Sequence, residues 1–312
     1  MFDSALGLDL SCIRSSLIKR DSQGRVLSVP IFSTSYGMLI NNDLFAQANL
    51  SVPTNLQELL DVCTAFRGKG YENPMMGYSK KTSGCLMNTI AYPLFALALS
   101  EHPEAVALAN QCNPAAGEYM RNALETLSQL ISSGCINIDN CNEISDNYKQ
   151  VLYRFFEGDV PMMICTGDTV SGTGKREKES EAFKANPFSY SFAPIPTTAN
   201  GAYFLDSPSI NFAVNKSCDN LDMTNEFMRF LITSTELNNM VAIKHLIPVT
   251  DNYAIDKVYE SLGNVPANRI ISPSSLGIED TLAVQIRVAS FKVATGALTV
   301  DEAVAQYGSF SE

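Results

Sequence analysis

Residues 165–179, CTGDTVSGTGKREKE, bring closely spaced glycines together with hydroxyls and cations, the ingredients of a phosphate cradle. Such a loop needs glycine, four residues, then glycine, lysine and a serine or threonine, because its backbone N–H groups wrap the phosphates while the lysine reaches them. Gly167 and Gly172 have that separation, but Thr173 stands in the lysine position. Lys175 does follow Gly174, yet Thr169 occupies the opening glycine position and Arg176 follows the lysine. The motif fails in both frames, and the stretch reads as a solvated, charged surface loop. Glu157, Asp168 and Asp206 are carboxylates of the type that glycosidases use in pairs. Their sequence separations define no such pair, so each is read as a solvated or capping residue and no catalytic residue is assigned. Cysteines stand at 12, 63, 85, 112, 135, 141, 165 and 218 without a C-x-x-C pair, and only His102 and His245 supply imidazole. Dispersed thiols of this kind fill cores as small apolar groups, so most are expected buried and unpaired, with no metal site and no cofactor.

The elements that would position these groups belong to a chain of 312 residues with 46% hydrophobic content, enough for two domains or one large one. A net charge of -11 opposes binding to nucleic acid or an anionic membrane surface. No apolar run is long enough to span a bilayer, and the opening MFDSALGLDLSCIRSSLIKRD lacks the ordered regions of a signal peptide. Taken literally, the polypeptide would remain in the cytoplasm.

VLSVPIF at 26–32 reads as a strand ended by Pro30, YGMLI as a second strand, and NNDLFAQAN as a helix capped by Asn42 or Asp43. The next helix takes Thr54 as its cap and carries Leu56, Leu59, Leu60, Cys63 and Phe66 on one face, before Gly68 and Gly70 stop it. LMNTIAYPLFALAL contains Pro93 and suggests a buried, bent helix. Helices follow at about 115–133 and 148–157, the latter turning into the apolar strand of DVPMMIC. After the proline-marked crossing FAPIPTTANGAY come a strand in SPSINFAVNK and helices near 224–230, 278–294 and in TVDEAVAQYG, where Thr299 or Asp301 can cap. Helices feeding short apolar strands imply an α/β fold.

In this order the pieces resemble the bacterial extracellular solute-binding proteins, family 1. Ile40, Asn41, Asn42, Asp43, Leu44 and Phe45, with Pro53 and Thr54 next, are similar to the family's Tyr-Asn-x-Asp-Leu-Phe segment and the Pro-Thr pair that opens its helix. RFFEGDVPMMICTGD resembles the Phe-x-x-Gly-x-x-x-Met run into a ligand-facing glycine turn. FAPIPT, the stretch from INFAVNK to HLIPV, and ATGALTVDEAVAQYG resemble the return crossing, the strand and helix of the other lobe, and the terminal hairpin.

The resemblance implies a periplasmic-binding-protein-like type II α/β fold, two lobes joined by hinge crossings. One lobe would comprise residues 1–30 and 194–250 and the other 31–193 and 251–312. The family begins with a secretory signal and roughly 100 residues ahead of the crossing that VPIF resembles. The first lobe is therefore expected to be incomplete, with apolar surface showing where its missing part would pack. The implied partners are a small polar solute, commonly a sugar or oligosaccharide, and the membrane permease subunits of an ABC importer. The implied location is the extracellular face of the membrane or the periplasm for a full-length form.

Thr34, Ser35 and Tyr36 follow the first crossing, where hydroxyls can meet sugar hydroxyls and a tyrosine ring can cover an apolar sugar face. They equally suit a strand entrance with a buried tyrosine. Asp168 and Thr169 lie at the turn where the family often presents an aromatic residue, and helix capping is their plainer role. Tyr203 and Phe204 suit the opposite wall of a cleft or simple edge packing. Tryptophan is absent, which departs from the common sugar-binding pattern, although 12 tyrosines and 16 phenylalanines remain for stacking. A remnant that binds nothing and a carbohydrate-processing enzyme are the alternatives.

Overall fold

The structure is a computed structural model that describes residues 8–21, 23–79, 85–144, 148–251 and 255–311. Parts of the expected lobes, residues 1–7 and 22 of the first and 80–84, 145–147, 252–254 and 312 of the second, lie outside the described residues.

The chain enters through two short strands, β1 (Val29–Pro30) and β2 (Ser33–Thr34), the first ending at Pro30 as the sequence implies. Pro30 has no N–H for a ladder, and pairing resumes on other partners beyond it. β3 (Tyr36–Asn41) leads directly into α1 (Asn42–Ala48). The cap of α1 is Asn41 and not Asn42 or Asp43, because Asn41 is still extended and its Oδ1 accepts from Leu44 N at 3.1 Å. A similar one-residue shift occurs at α2 (Leu56–Gly68), where Asn55 accepts from Glu58 N at 3.0 Å. Thr54, expected as the cap, instead donates its N–H and hydroxyl to Glu58 Oε2, each at 2.8 Å. α2 buries Leu59, Cys63 and Phe66 of the expected face together with Val62, while Leu56 and Leu60 are only partly buried.

β4 (Met75–Gly77) precedes α3 (Cys85–Glu101), which carries Pro93 within it. α4 (Arg121–Ser132) and α5 (Tyr148–Phe155) follow, and Gly158, at φ 86°, turns the chain toward β5 (Met162–Thr166). The expected surface loop at 165–179 is instead α6 (Gly167–Val170) and α7 (Thr173–Glu179). Alternating charge misled because the charges serve one helix. Lys175 and Arg176 both reach Glu179 one turn on, at 3.7 and 3.6 Å. Arg176 is only 3% exposed, and Tyr153 donates to Glu179 from α5.

β6 (Tyr190–Ala193) completes a four-stranded sheet in the order β4-β5-β3-β6, with β3 antiparallel to both neighbours and β4 parallel to β5. Gly37 is required here, since a Cβ would lie 2.4 Å from Ala193 O and 2.7 Å from the Phe192 ring. Met38, Leu39, Ile40, Met162, Met163 and Ile164 are all buried, as strands covered on both faces must be.

β7 (Phe204–Leu205), β8 (Ser207–Pro208) and β9 (Asn211–Phe212) carry the chain back, β8 pairing with β2 and β9 with β1. α8 (Leu221–Leu231) and α9 (Ser234–Lys244) come next. β10 (Ile270–Ile271) lies parallel to β7, and α10 (Asp280–Ala294) and α11 (Val300–Ala305) end the fold. Thr299 caps α11 in a reciprocal box with Glu302, as its spacing predicts.

Three apolar cores result. One joins the four-stranded sheet to α2 and α5, and a second joins α3 to α4, α10 and α11. A third, smaller core gathers Ile13, Leu17, Val29 and Ile31 with Met228, Leu237 and Val249. The elements around this third core leave Met223 67%, Phe227 57%, Phe230 57% and Ile243 73% exposed.

Candidate binding groove at the chain crossings

The chain passes between the third core and the rest of the fold at β1–β2, at β7–β9 and at residues 245–251, and these segments are hydrogen-bonded to one another. Ser33 N donates to Ile247 O at 3.0 Å, and Ser209 N donates to Phe32 O at 2.8 Å. At their centre lies Asp206, 3% exposed. Arg14 grips its carboxylate with two donors, Nε at 3.1 Å and Nη2 at 3.0 Å. Its remaining Nη1 donates to Thr250 O at 3.2 Å. The Ser33 hydroxyl donates to the same carboxylate. One ion pair thus ties the opening segment to all three crossings.

Beside this knot, the turn after β5 presses against the first crossing. Gly167 N donates to Ser35 O at 2.9 Å, and Asp168 N donates to Thr34 Oγ1 at 3.2 Å. Gly167 permits this approach, because a Cβ would meet Ile247 Cδ1 at 3.0 Å and Thr34 Oγ1 at 3.2 Å. Tyr259 fastens the same turn to the last crossing, its single hydroxyl hydrogen shared between Gly167 O at 3.0 Å and His245 O at 3.1 Å. Burial pushes the Tyr259 phenol up, so it stays a donor at any physiological pH. His245, at φ 50° after α9, faces Asp256 with Nδ1 and Oδ2 2.6 Å apart.

An open groove of about 1270 Å³ runs along this side, lined by Thr166, Asp168, Thr169, Phe32, Ser209 and His245 and by the charged Lys175, Arg176, Glu177, Lys178, Lys244 and Asp256. Its hydroxyls and carboxylates can exchange hydrogen bonds with a polyhydroxy solute, and Phe32 and Tyr190 add aromatic edges. A second cleft of about 780 Å³ is lined by Arg14, Glu101, Tyr203, Phe204, Asp206 and Ser272, among others.

The structure therefore brings together Thr34, Asp168 and Thr169 but does not gather all seven residues singled out in the sequence. Ser35 is fully buried, and Phe204, 7% exposed, packs with the first core. Tyr36 packs edge-on against Tyr92 with centroids 5.5 Å apart and shares a crevice with Tyr203, Thr89 and Thr197. That crevice, at about 10 Å³, is the size of a single water. The carboxylates considered for catalysis each have their own partner: Glu157 pairs with Arg154 at 3.0 Å, Asp206 with Arg14, and Asp168 accepts from Ser209. Among the described residues no group of three or more His, Cys, Asp or Glu side chains is placed to hold a metal. Arg14 and Tyr259 were not legible as site residues, since nothing local marks them. SPS at 207–209, directly after the return crossing, was the one available signal for Ser209.

The sequence pattern described as Bacterial extracellular solute-binding protein matches residues 16–267. No curated protein matches the sequence. Among solved structures, a protein of Caldanaerobius polysaccharolyticus connected with xylan utilization superposes with a TM-score of 0.75 at 16% identity, covering 98% of this chain and 79% of that one. A sugar transporter from Bacillus licheniformis in complex with stachyose gives 0.69 at 14% identity, over 96% and 77%. The GacH receptor of Streptomyces glaucescens, solved unliganded and with acarbose, gives 0.68 at 18% identity, over 97% and 75%. The shared feature is the two-lobe, periplasmic-binding-protein-like α/β fold of type II. No helix among the described residues is long and apolar enough to cross a membrane.

Proposed function

Because the chain belongs to the bacterial extracellular solute-binding proteins, we propose that it is the receptor component of an ABC-type importer and holds a sugar or oligosaccharide in the groove beside the crossings. Its partners in this reading are the solute and the importer's permease subunits, and its place is the outer face of the membrane or the periplasm. The role is binding and delivery without turnover. The observation that carries the proposal is the contact of the Gly167–Asp168 turn with Thr34 at the crossing, which sets Asp168, Thr169 and Ser209 around an open, hydroxyl-lined groove. The solved neighbours named with stachyose and acarbose support a carbohydrate as the solute class.

In this reading residues 1–30 and 194–250 form one lobe and residues 31–193 and 251–312 the other; the separate third core supports the division, with Ile31 and Phe32 packing on the first lobe and Ile195, Phe204, Leu205 and Ile247 on the second. Asp168 and Thr169 line the groove and contact solute directly, and Thr34 holds their turn in place through Asp168 N. Tyr36 and Tyr203 contribute when the lobes rotate about the crossings, and Ser35 and Phe204 hold the strand ends that carry them.

Isothermal titration calorimetry against a panel of neutral mono- and oligosaccharides tests this. Saturable heat with at least one sugar is expected, with affinity lowered about tenfold or more in Thr169→Ala, the loss of one to two hydrogen bonds. Silence across the panel removes the carbohydrate assignment, unchanged affinity in the variant moves the site, and hydrolysis of any member overturns the receptor role.

A second reading, that the chain in this form binds weakly or not at all, is favoured by the exposed Met223, Phe227, Phe230 and Ile243. Exposed apolar side chains of this kind suit a first lobe completed by further structure. Calorimetry on a longer form that covers these side chains distinguishes the two readings.

A further inference from the structure

Among the described thiols, Cys63 and Cys135 stand out because they lie in one core and influence each other's titration. Cys63 projects from the middle of α2 and is 1% exposed, whereas Cys135 follows Gly134 beyond the end of α4 and is fully buried. This mutual influence pushes the Cys63 thiol up and the Cys135 thiol down. The backbones are held close by independent contacts. Arg67, one turn beyond Cys63, donates Nη1 to Ser133 O at 3.1 Å, and it lies so close to Gly134 that a Cβ there would sit 2.3 Å from Nη1. Cys135 O in turn accepts from Met75 N at 3.0 Å, fixing the segment against β4. Cys141 and Cys165 are also buried and stand outside any disulfide, and Cys12, Cys112 and Cys218 are partly exposed.

We propose that Cys63 and Cys135 are a disulfide-forming pair that links α2 to the segment after α4 when the protein is held in an oxidising compartment. The proposal rests on the extracellular reading above only for the oxidant, since disulfides persist where the glutathione and thioredoxin systems do not reduce them. The oxidant is a low-molecular-weight disulfide. Cys135 is the attacking sulfur. The hydrogen bond from the Cys63 thiol, together with the Ser133 hydroxyl and the Arg67 charge, lowers its thiol against the effect of burial. The Ser133 Oγ lies 3.2 Å from the Cys135 Sγ. The Cys135 thiolate displaces one thiolate from the small disulfide, giving a mixed disulfide. Cys63 then loses its proton, attacks the Cys135 sulfur and expels the second thiolate. Two protein thiols become one protein disulfide, and one small disulfide becomes two small thiols. Burial of both sulfurs places the exchange in folding or in local opening of α2.

The test takes the full chain, folded and also refolded from denaturant, through glutathione buffers from fully reduced to strongly oxidising. Samples are acid-quenched, alkylated, digested and mapped by mass spectrometry. The expected product is a peptide pair joined through Cys63 and Cys135, lighter by two hydrogens and reversed by reductant, with Cys141 and Cys165 still alkylated. The oxidised form should melt about 5–7 °C higher, from closing a loop of about 73 residues. Cys63→Ser abolishes both the link and the shift. Free thiols at 63 and 135 in the folded and the refolded arms, or links scrambled among other cysteines, overturn the proposal. The linkage is read by mass whether or not sugar binds, so an oxidised protein that binds no sugar counts against the receptor role alone.

Discussion

Replacing Arg14 by alanine should cost this protein far more than a surface ion pair is worth. The Asp206 side chain is 4% exposed and the Arg14 side chain 22%, and the guanidinium supplies two of the carboxylate's three donors. Exposed pairs contribute about 0–1 kcal/mol, whereas removing one member of a buried pair strands the other charge and costs about 3–5 kcal/mol. With an unfolding entropy of about 2.1 cal/mol/K per residue, 312 residues give about 0.65 kcal/mol/K, so Tm should fall by about 5–8 °C. Calorimetric and urea-induced unfolding of Arg14→Ala, Asp206→Asn and the double variant measure it. The double variant removes the stranded charge and should recover at least about 1.5 kcal/mol relative to additive single losses. A single-variant loss under about 1 kcal/mol, or strictly additive losses, would refute the argument that this pair is the buried tie between the crossings.

Gly37→Ala should destabilise by about 1–3 kcal/mol, the usual cost of forcing an extra methyl into a packed site. The new methyl would meet the Ala193 carbonyl, which the β3–β6 pairing holds in place, and a urea titration that matches the parent protein counts against that register. Tyr259→Phe leaves Gly167 O and His245 O without their shared donor. It should cost about 1–3 kcal/mol by thermal unfolding, with no measurable loss contradicting the bridge between turn and crossing. Burial of Asp256 raises its pKa, but the Val258 N–H and His245 outweigh it and bring the carboxyl below its ordinary 3.8. A depressed folded value means stability that is present above pH 3.8 and lost as pH falls through the folded value. Acid unfolding of Asp256→Asn should therefore lack that component, and an unchanged acid limb would disprove it.

What could be read from the residues alone was local. The apolar run of β3, the α2 face with Leu59, Cys63 and Phe66, the proline-bearing α3 and the Thr299–Glu302 box all follow from periodicity and capping within one or two turns. Even there the caps of α1 and α2 each moved by one residue, because several neighbouring polar side chains can cap and backbone angles choose among them. The 165–179 segment was misread for a related reason: its charges suit both a solvated loop and a helix. Burial of Arg176 and the reach of Tyr153 from another helix decided for the helix.

The ordered resemblance along the chain was enough to point to the family and its two-lobe fold, since each piece keeps its position relative to the next. It did not reveal which hydroxyls share one groove. Thr34 and Asp168 meet across 134 residues, and Arg14 reaches Asp206 across 192 and Thr250 across 236. Contacts at such separations leave no periodic mark, because they are set by where the crossings lie against one another. The same holds for Cys63 and Cys135, two ordinary core cysteines in the sequence, which only the packing of α2 on the segment after α4 makes neighbours. Propensity and pattern therefore specified the elements of this protein, while long-range burial and hydrogen bonding decided which side chains could act together.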